Sequence, residues 1–253
     1  RYEGGGAAVL GSIQPQPIAN QADGSIALAD IEANIKPDDA HFARTRLLAL
    51  ENTIGGKVLQ LTYIEQATAL ARRKGLSTHL DGARLFNAAV AAGGDPYAAA
   101  RAIAQHFDSV SVCFSKGLGA PVGSMLCGSA ELIERARRWR KMLGGGMRQI
   151  GGLAAAASYA LDHHVARLAD DHALARRLAE GLQGLPGLRV DAPQTNIVFV
   201  QVAPDSAAGL MDQLKARGVL VTGLYTLRFV THLDVDAAGV DQAVRAMREI
   251  LGN

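Results

Sequence analysis

The residues best suited to chemistry lie in Ser109-Val-Ser-Val-Cys-Phe-Ser-Lys-Gly-Leu-Gly-Ala-Pro-Val-Gly-Ser124. Its alternating, β-branched start predicts a buried strand. The strand delivers Lys116 into a turn broken by glycine and proline. A lysine at the end of a core strand is expected to hold its ammonium partly desolvated, which lowers its pKa and frees a neutral amine. Neutral amines attack aldehydes, so Lys116 is a candidate Schiff-base lysine of the kind that carries pyridoxal phosphate (PLP). On this segment alone the bland alternative, a solvated lysine capping a strand, is favoured.

A second segment reverses that preference. Leu76-Ser-Thr-His-Leu-Asp-Gly-Ala-Arg84 opens as another short strand and ends on Asp81. In PLP enzymes of the aspartate-aminotransferase fold, a carboxylate at such a strand end pairs with the pyridine nitrogen, which lets the ring accept electrons when a bond at Cα breaks. The plainer role for Asp81 is to cap a helix starting near Arg84. With a lysine following in the next β-unit, the cofactor role is the better one.

Four motifs then carry a resemblance. His79-Leu-Asp-Gly-Ala-Arg84, Ser115-Lys-Gly-Leu-Gly-Ala-Pro-Val-Gly-Ser124, Arg140-Lys-Met-Leu-Gly-Gly-Gly-Met-Arg-Gln149 and Arg228-Phe-Val-Thr-His-Leu-Asp234 occur in the order seen in the low-specificity L-threonine aldolases, which the chain resembles from Tyr2 onward. The resemblance implies PLP fold type I and retro-aldol cleavage of threonine and related β-hydroxy amino acids to glycine and an aldehyde. It implies that Lys116 and Asp81 hold the cofactor, that Arg84 serves cofactor and substrate, and that Arg228 grips the substrate carboxylate. It makes His41 a candidate base at the β-hydroxyl. It also implies a segment ahead of Arg1 with a phosphate loop and a ring-stacking histidine, neither of which this sequence contains. Ile54 stands where the family usually has histidine. The family is typically a tetramer, so a homo-oligomer, tetramer or dimer, is expected.

Composition limits the alternatives. The 253 residues are 49% hydrophobic and 20% charged, ordinary for a soluble α/β protein. A net charge of +2 is too small to suggest a nucleic-acid partner, and the Arg135–Arg140 run suits the solvated face of a helix. No apolar run is long enough to span a bilayer and no signal peptide is visible, so no membrane role and a cytoplasmic location are expected. Cys113 and Cys127 lie in apolar runs and are expected to be buried free thiols. No histidine spacing suits a metal.

The elements that must position these groups alternate strand and helix. Residues 1–28 are expected to be irregular, with Pro15 and Pro17 breaking any helix. Strands are expected at 45–51, 76–81 and 109–115, with helices between, one opened by a Thr62–Glu65 capping box and stopped at Gly75. That order implies parallel strands with ligands at their carboxyl ends, where Asp81 and Lys116 fall. After a strand at 123–128, Ser129 is expected to cap a basic helix. The Gly144-Gly-Gly-Met-Arg148 turn, whose amides and arginine suit an anion such as the PLP phosphate, could equally be a plain linker. The predicted division is a large PLP-binding domain over 1–164 and a small α/β domain over 165–253. In the latter, a helix is expected at 205–217, followed by strands at 219–222 and 227–231. Arg228 sits inside the last of these, where an unpaired arginine would be costly.

Three other functions compete. Another PLP reaction on the same fold, transamination, racemisation or β-elimination, is the nearest. Gly117-Leu-Gly-Ala-Pro-Val-Gly123 imitates a dinucleotide loop, but with an extra residue, an internal proline and no acidic partner downstream. A cofactor-free interaction module is the non-enzymatic alternative.

Overall fold

The computed structural model describes residues 3–223 and 226–252; Arg1 and Tyr2 lie outside them. After a 3-10 turn, a six-residue helix, α1 (Gly6–Gly11), occupies a segment expected to be irregular. Pro15 and Pro17 break the chain only beyond it, and Ala7 to Leu10 are acceptable helix formers. There follow α2 (Leu28–Ala33), β1 (Leu47–Glu51), α3 (Leu61–Arg73), β2 (Ser77–Gly82), α4 (Leu85–Ala91), α5 (Pro96–Ala104), β3 (Ser109–Cys113) and β4 (Ser124–Gly128). The first sheet has the order β1-β2-β3-β4. β1, β2 and β3 are parallel, whereas β4 runs antiparallel to β3, because the Lys116 loop folds the chain straight back beside it.

Alternation within these strands separates core from site. Leu50, Leu80 and Val110 point into a core shared with Ile64, Ala67 and Ala88. Their neighbours Glu51, Asp81 and Ser111 lie in register on the opposite face, because successive side chains of a strand alternate. Asp95 caps α5 by accepting from the Tyr97 and Ala98 amides, with Pro96 at the first position. The capping box at Thr62 does not form. α3 starts two residues earlier than such a cap requires, after an extended Gln60, so Thr62 falls inside the first turn. The expected stop at Gly75 is present, with a left-handed φ of 72°.

Beyond β4, Ser129 caps α6 (Ala130–Met142) by accepting from Leu132 N, and α7 (Gly151–His163) follows. α6 carries the basic run on a fully solvated surface. β4 is exposed along its whole length. Both thiols are free, but Cys127 is exposed because β4 is an edge strand, and Cys113, at the end of β3, is half-buried, so the burial expected for them is not found.

The remainder is α8 (Leu168–Leu182), β5 (Leu188–Val190), β6 (Ile197–Val202), α9 (Pro204–Ala207), α10 (Leu210–Ala216), β7 (Thr226–Val230) and α11 (Ala237–Leu251). β5, β6 and β7 make an antiparallel sheet with its own core against α8, α10 and α11. The single helix expected over 205–217 is two, because Gly209 takes a left-handed φ of 71° between them. The strand expected at 219–222 is reduced to one bridge, Thr222 to Arg228. Between the sheets lies a third cluster, where Phe114, Leu118 and Ala120 of the Lys116 loop meet Ala160, Val165 and Leu168.

Candidate active site

The carboxyl ends of β1, β2 and β3 bring the site together. Asp81 is exposed on β2, and its Oδ1 accepts from Ala83 N at 3.0 Å. It does not cap α4, whose N-cap is Arg84 with no side-chain bond. Gly82 is required beside it, since a Cβ there would lie 2.8 Å from the Ser111 carbonyl oxygen of β3. A larger residue would push the strands apart at the acid.

Lys116 lies three residues beyond β3 in a turn closed by Gly119 N donating to Lys116 O at 2.9 Å. Its side chain is exposed. The desolvation expected for its ammonium is therefore not found, because the loop carries it past the end of the strand rather than leaving it in the core. The loop itself is fixed. Gly117 packs where a Cβ would stand 2.7 Å from Leu168, His164 Nδ1 bonds Leu118 O at 2.6 Å, and Arg167 reaches Gly117 O at 3.4 Å. Beneath this turn, Asn87 of α4 meets His172 of α8, Nδ2 to Nε2 at 3.1 Å, both buried. Arg167 also pairs closely with the fully buried Asp171.

Two arginines on different elements come within reach of each other's charge. Arg84 enters α4 directly behind Asp81, and Arg228 lies at the centre of β7. Burial lowers the Arg84 pKa from its usual value, and the charge of Arg228 is the next largest cause. Arg84 Nε is buried with no hydrogen-bond partner among the described residues. Two guanidiniums within reach of each other's charge, one with an orphaned donor, suit an anion. Carboxylates are the simplest fit, through paired N–H donors.

Glu51, which the motifs did not single out, completes the cluster. It is the last residue of β1, in register with Asp81. Burial raises its pKa and the Asp81 charge raises it further, while Arg84 and Lys116 act in the opposite sense. Asp81, Arg84 and Lys116 therefore all bear on Glu51. A raised carboxyl at a strand end was the signal available, but it depends on register, which the sequence does not display.

The other two candidates lie elsewhere. His41 is 89% exposed on the segment entering β1 from its amino end, with Nδ1 bonded to Asp39 at 2.8 Å. Arg148 is exposed between α6 and α7. Neither shares a hydrogen bond or ion pair with the cluster among the described residues. A surface concavity of about 560 Å³ between α2 and α3, lined by Glu32, Glu65 and Arg73, carries none of this chemistry. Among the described residues no group of three His, Cys, Asp or Glu is placed to hold a metal, and no helix is long and apolar enough to cross a membrane.

The donor set suits PLP. Lys116 offers an exposed amine and Asp81 an exposed carboxylate at adjacent strand ends. Beside Asp81, Asn52 Nδ2 and Thr53 Oγ1 are buried and, among the described residues, unpartnered, and Asn52 N donates to Asp81 O at 3.0 Å. Orphaned polar atoms of this kind call for a polar occupant.

The chain is similar to known proteins in sequence and in fold. A family model described as beta-eliminating lyase matches residues 1–205. The low specificity L-threonine aldolase of Escherichia coli K12 is 50% identical over 99% of this chain and 74% of its own length. The probable low-specificity L-threonine aldolase 2 of Arabidopsis thaliana is 43% identical, over 98% and 72%. Among solved structures, the threonine aldolase of Leishmania major matches with a TM-score of 0.79 at 21% identity, covering 96% of this chain and 72% of that one. At that identity the match speaks for the fold, an α/β PLP fold of type I with a mostly parallel sheet. Sequence and fold together place the chain in the beta-eliminating lyase family, among the low-specificity L-threonine aldolases.

Proposed function

We propose that this site cleaves the Cα–Cβ bond of threonine, allo-threonine and related β-hydroxy amino acids, giving glycine and an aldehyde, with PLP as cofactor. What supports the proposal is that Arg84 feels the charges of Arg228 and Asp81 while Glu51 feels those of Asp81, Arg84 and Lys116, which brings a carboxylate clamp, an amine and an acid within reach of one another. PLP, when bound, supplies the sink for the electron pair released as the bond breaks. Lys116 Nζ tethers it, and Asp81 keeps its ring nitrogen protonated. Arg84 and Arg228 hold the substrate's α-carboxylate and so set which bond at Cα stands perpendicular to the ring. The β-hydroxyl proton leaves to water, because His41 lies outside the cluster within one chain. Lys116 or water returns a proton to Cα.

The division of labour follows the two sheets, with the acid, the amine and one arginine in residues 1–164 and the second arginine in residues 165–253. The enzyme works as a homo-oligomer in the cytoplasm, with Arg148 directed to the cofactor phosphate of a neighbouring copy. Exposed apolar side chains around β4, α6 and α7, among them Met125, Trp139, Met142 and Tyr159, support that association.

The test is spectral and chemical. The chain mixed with PLP should absorb near about 420 nm, and Lys116→Ala should abolish that band. Threonine should release acetaldehyde. Turnover of alanine without aldehyde release from threonine would favour racemisation or transamination instead. A protein that stays colourless with PLP would mark a cofactor-free module.

A further inference from the structure

Glu51 has no assigned part in the mechanism, yet it occupies the most constrained position in the cluster. It ends β1 directly opposite Asp81 at the end of β2. Parallel neighbours in register project to the same face, from strands about 4.8 Å apart. The Asn52 amide pins that register by donating to Asp81 O at 3.0 Å. Glu51 is half-buried, whereas Asp81 is exposed. Among the described residues the Glu51 carboxyl makes no hydrogen bond and no ion pair within 4 Å. The charged groups that face it are Asp81 from β2, Arg84 from the turn before α4 and Lys116 from the loop after β3.

Two carboxyls on neighbouring strand ends in register disfavour each other's charge, and burial adds to that cost for Glu51. Asp81 has water on one side and Ala83 N donating to it. Glu51 has neither advantage. The same pairing gives Glu51 something to do with its proton, since Asp81 is an acceptor with a free oxygen.

We propose that Glu51 is a positioning residue of this site: a neutral carboxyl that donates a hydrogen bond to Asp81, orients it, and leaves the single negative charge of the pair on Asp81, facing the cofactor's ring nitrogen. This rests on the PLP reading of the site, and it adds a requirement of its own. The arginine pair and the lysine act on substrate and aldehyde. Glu51 acts only through Asp81, so removing it should disturb the ring-nitrogen contact while leaving the carboxylate clamp alone.

The experiment has two arms. In the cofactor-free chain, carbon-13 NMR of the side-chain carboxyls follows Glu51 and Asp81 across acid pH. Glu51 should titrate as the upper step of a coupled pair, and Asp81→Asn should lower its midpoint by about one pH unit or more, the coupling expected of interacting sites. A Glu51 midpoint that ignores Asp81→Asn overturns the proposal whether or not PLP binds. In the second arm PLP affinity is measured by absorbance for wild type, Glu51→Gln, Glu51→Ala, Asp81→Asn and the Glu51→Ala/Asp81→Asn double variant. Glu51→Gln, which keeps a neutral donor, should bind within about twofold of wild type, and Glu51→Ala about tenfold more weakly, the scale of a hydrogen bond to a charged group. In the Asp81→Asn background Glu51→Ala should cost nothing further, because its partner is already gone. Equal binding by wild type and Glu51→Ala, or equal loss in Glu51→Gln and Glu51→Ala, overturns it. Failure of the wild-type chain to bind PLP overturns the cofactor reading instead, and the NMR arm still decides the pair.

Discussion

Replacing His172 by glutamine should change how the protein responds to acid more than how stable it is at neutral pH. His172 is 4% exposed and its Nε2 meets Asn87 Nδ2 at 3.1 Å, joining α8 to α4 beneath the Lys116 turn. Burial, and next the charge of Arg176, lowers its pKa from 6.5 to about 4. The folded state therefore keeps the ring neutral, while the unfolded chain takes a proton near the ordinary value. Between those two values the unfolded state binds more protons, so stability is full above about pH 6.5, falls as pH drops, and levels off below about pH 4. At 1.36 kcal/mol per unit the whole window is worth about 3 kcal/mol. Asp171 beside it is buried and raised, and it titrates in the opposite sense. It is present in both proteins and cancels in the comparison. Glutamine keeps an acceptor for the Asn87 amide but has no proton to gain. Urea unfolding followed by circular dichroism, at pH 7 and at roughly pH 4.5, should show wild type losing about 2–3 kcal/mol more than His172→Gln. Acid losses equal within about 0.5 kcal/mol would refute the assignment of a buried neutral imidazole.

Three further outcomes follow from the site. Arg228→Lys should raise KM for threonine about tenfold without moving the PLP absorbance, because an ammonium cannot reproduce a paired guanidinium contact; steady-state kinetics checks this. Gly82→Ala should cost about 1–3 kcal/mol, since its new Cβ would sit 2.8 Å from Ser111 O, and should weaken PLP binding by displacing Asp81. His41→Ala should leave threonine cleavage within about twofold, as expected for an exposed side chain away from reacting atoms; a loss of about a hundredfold would put a neighbouring copy's His41 at the site.

What could be read from residue types alone was chemistry that announces itself. Asp81 and Lys116 each close a strand-like run, so alternation and a glycine-broken turn were enough to place them at carboxyl ends. Arg228 drew notice because a cation inside an apolar strand is costly without an anion, and its place within β7 is as expected. Glu51 was not legible, since its neighbour is 30 positions away and only the β1–β2 register brings them together. The Asn87–His172 bond likewise spans 85 positions. The errors share a local cause. Thr62 looked like a cap but the chain turned helical two residues sooner than a cap there allows, and Gly209 split a helix whose apolar spacing ran on through it. Cys127 looked buried because its run is apolar, but no local pattern reveals whether a strand lies inside a sheet or at its margin.

The two guanidiniums have a consequence for the protein at rest. Arg84 and Arg228 act on each other with like charge, and a dianion or a crowd of chloride would relieve that repulsion as well as a substrate does. Sulfate and phosphate buffers should thus behave as competitors of the amino acid, and an anion-free medium is the one in which its true grip can be weighed.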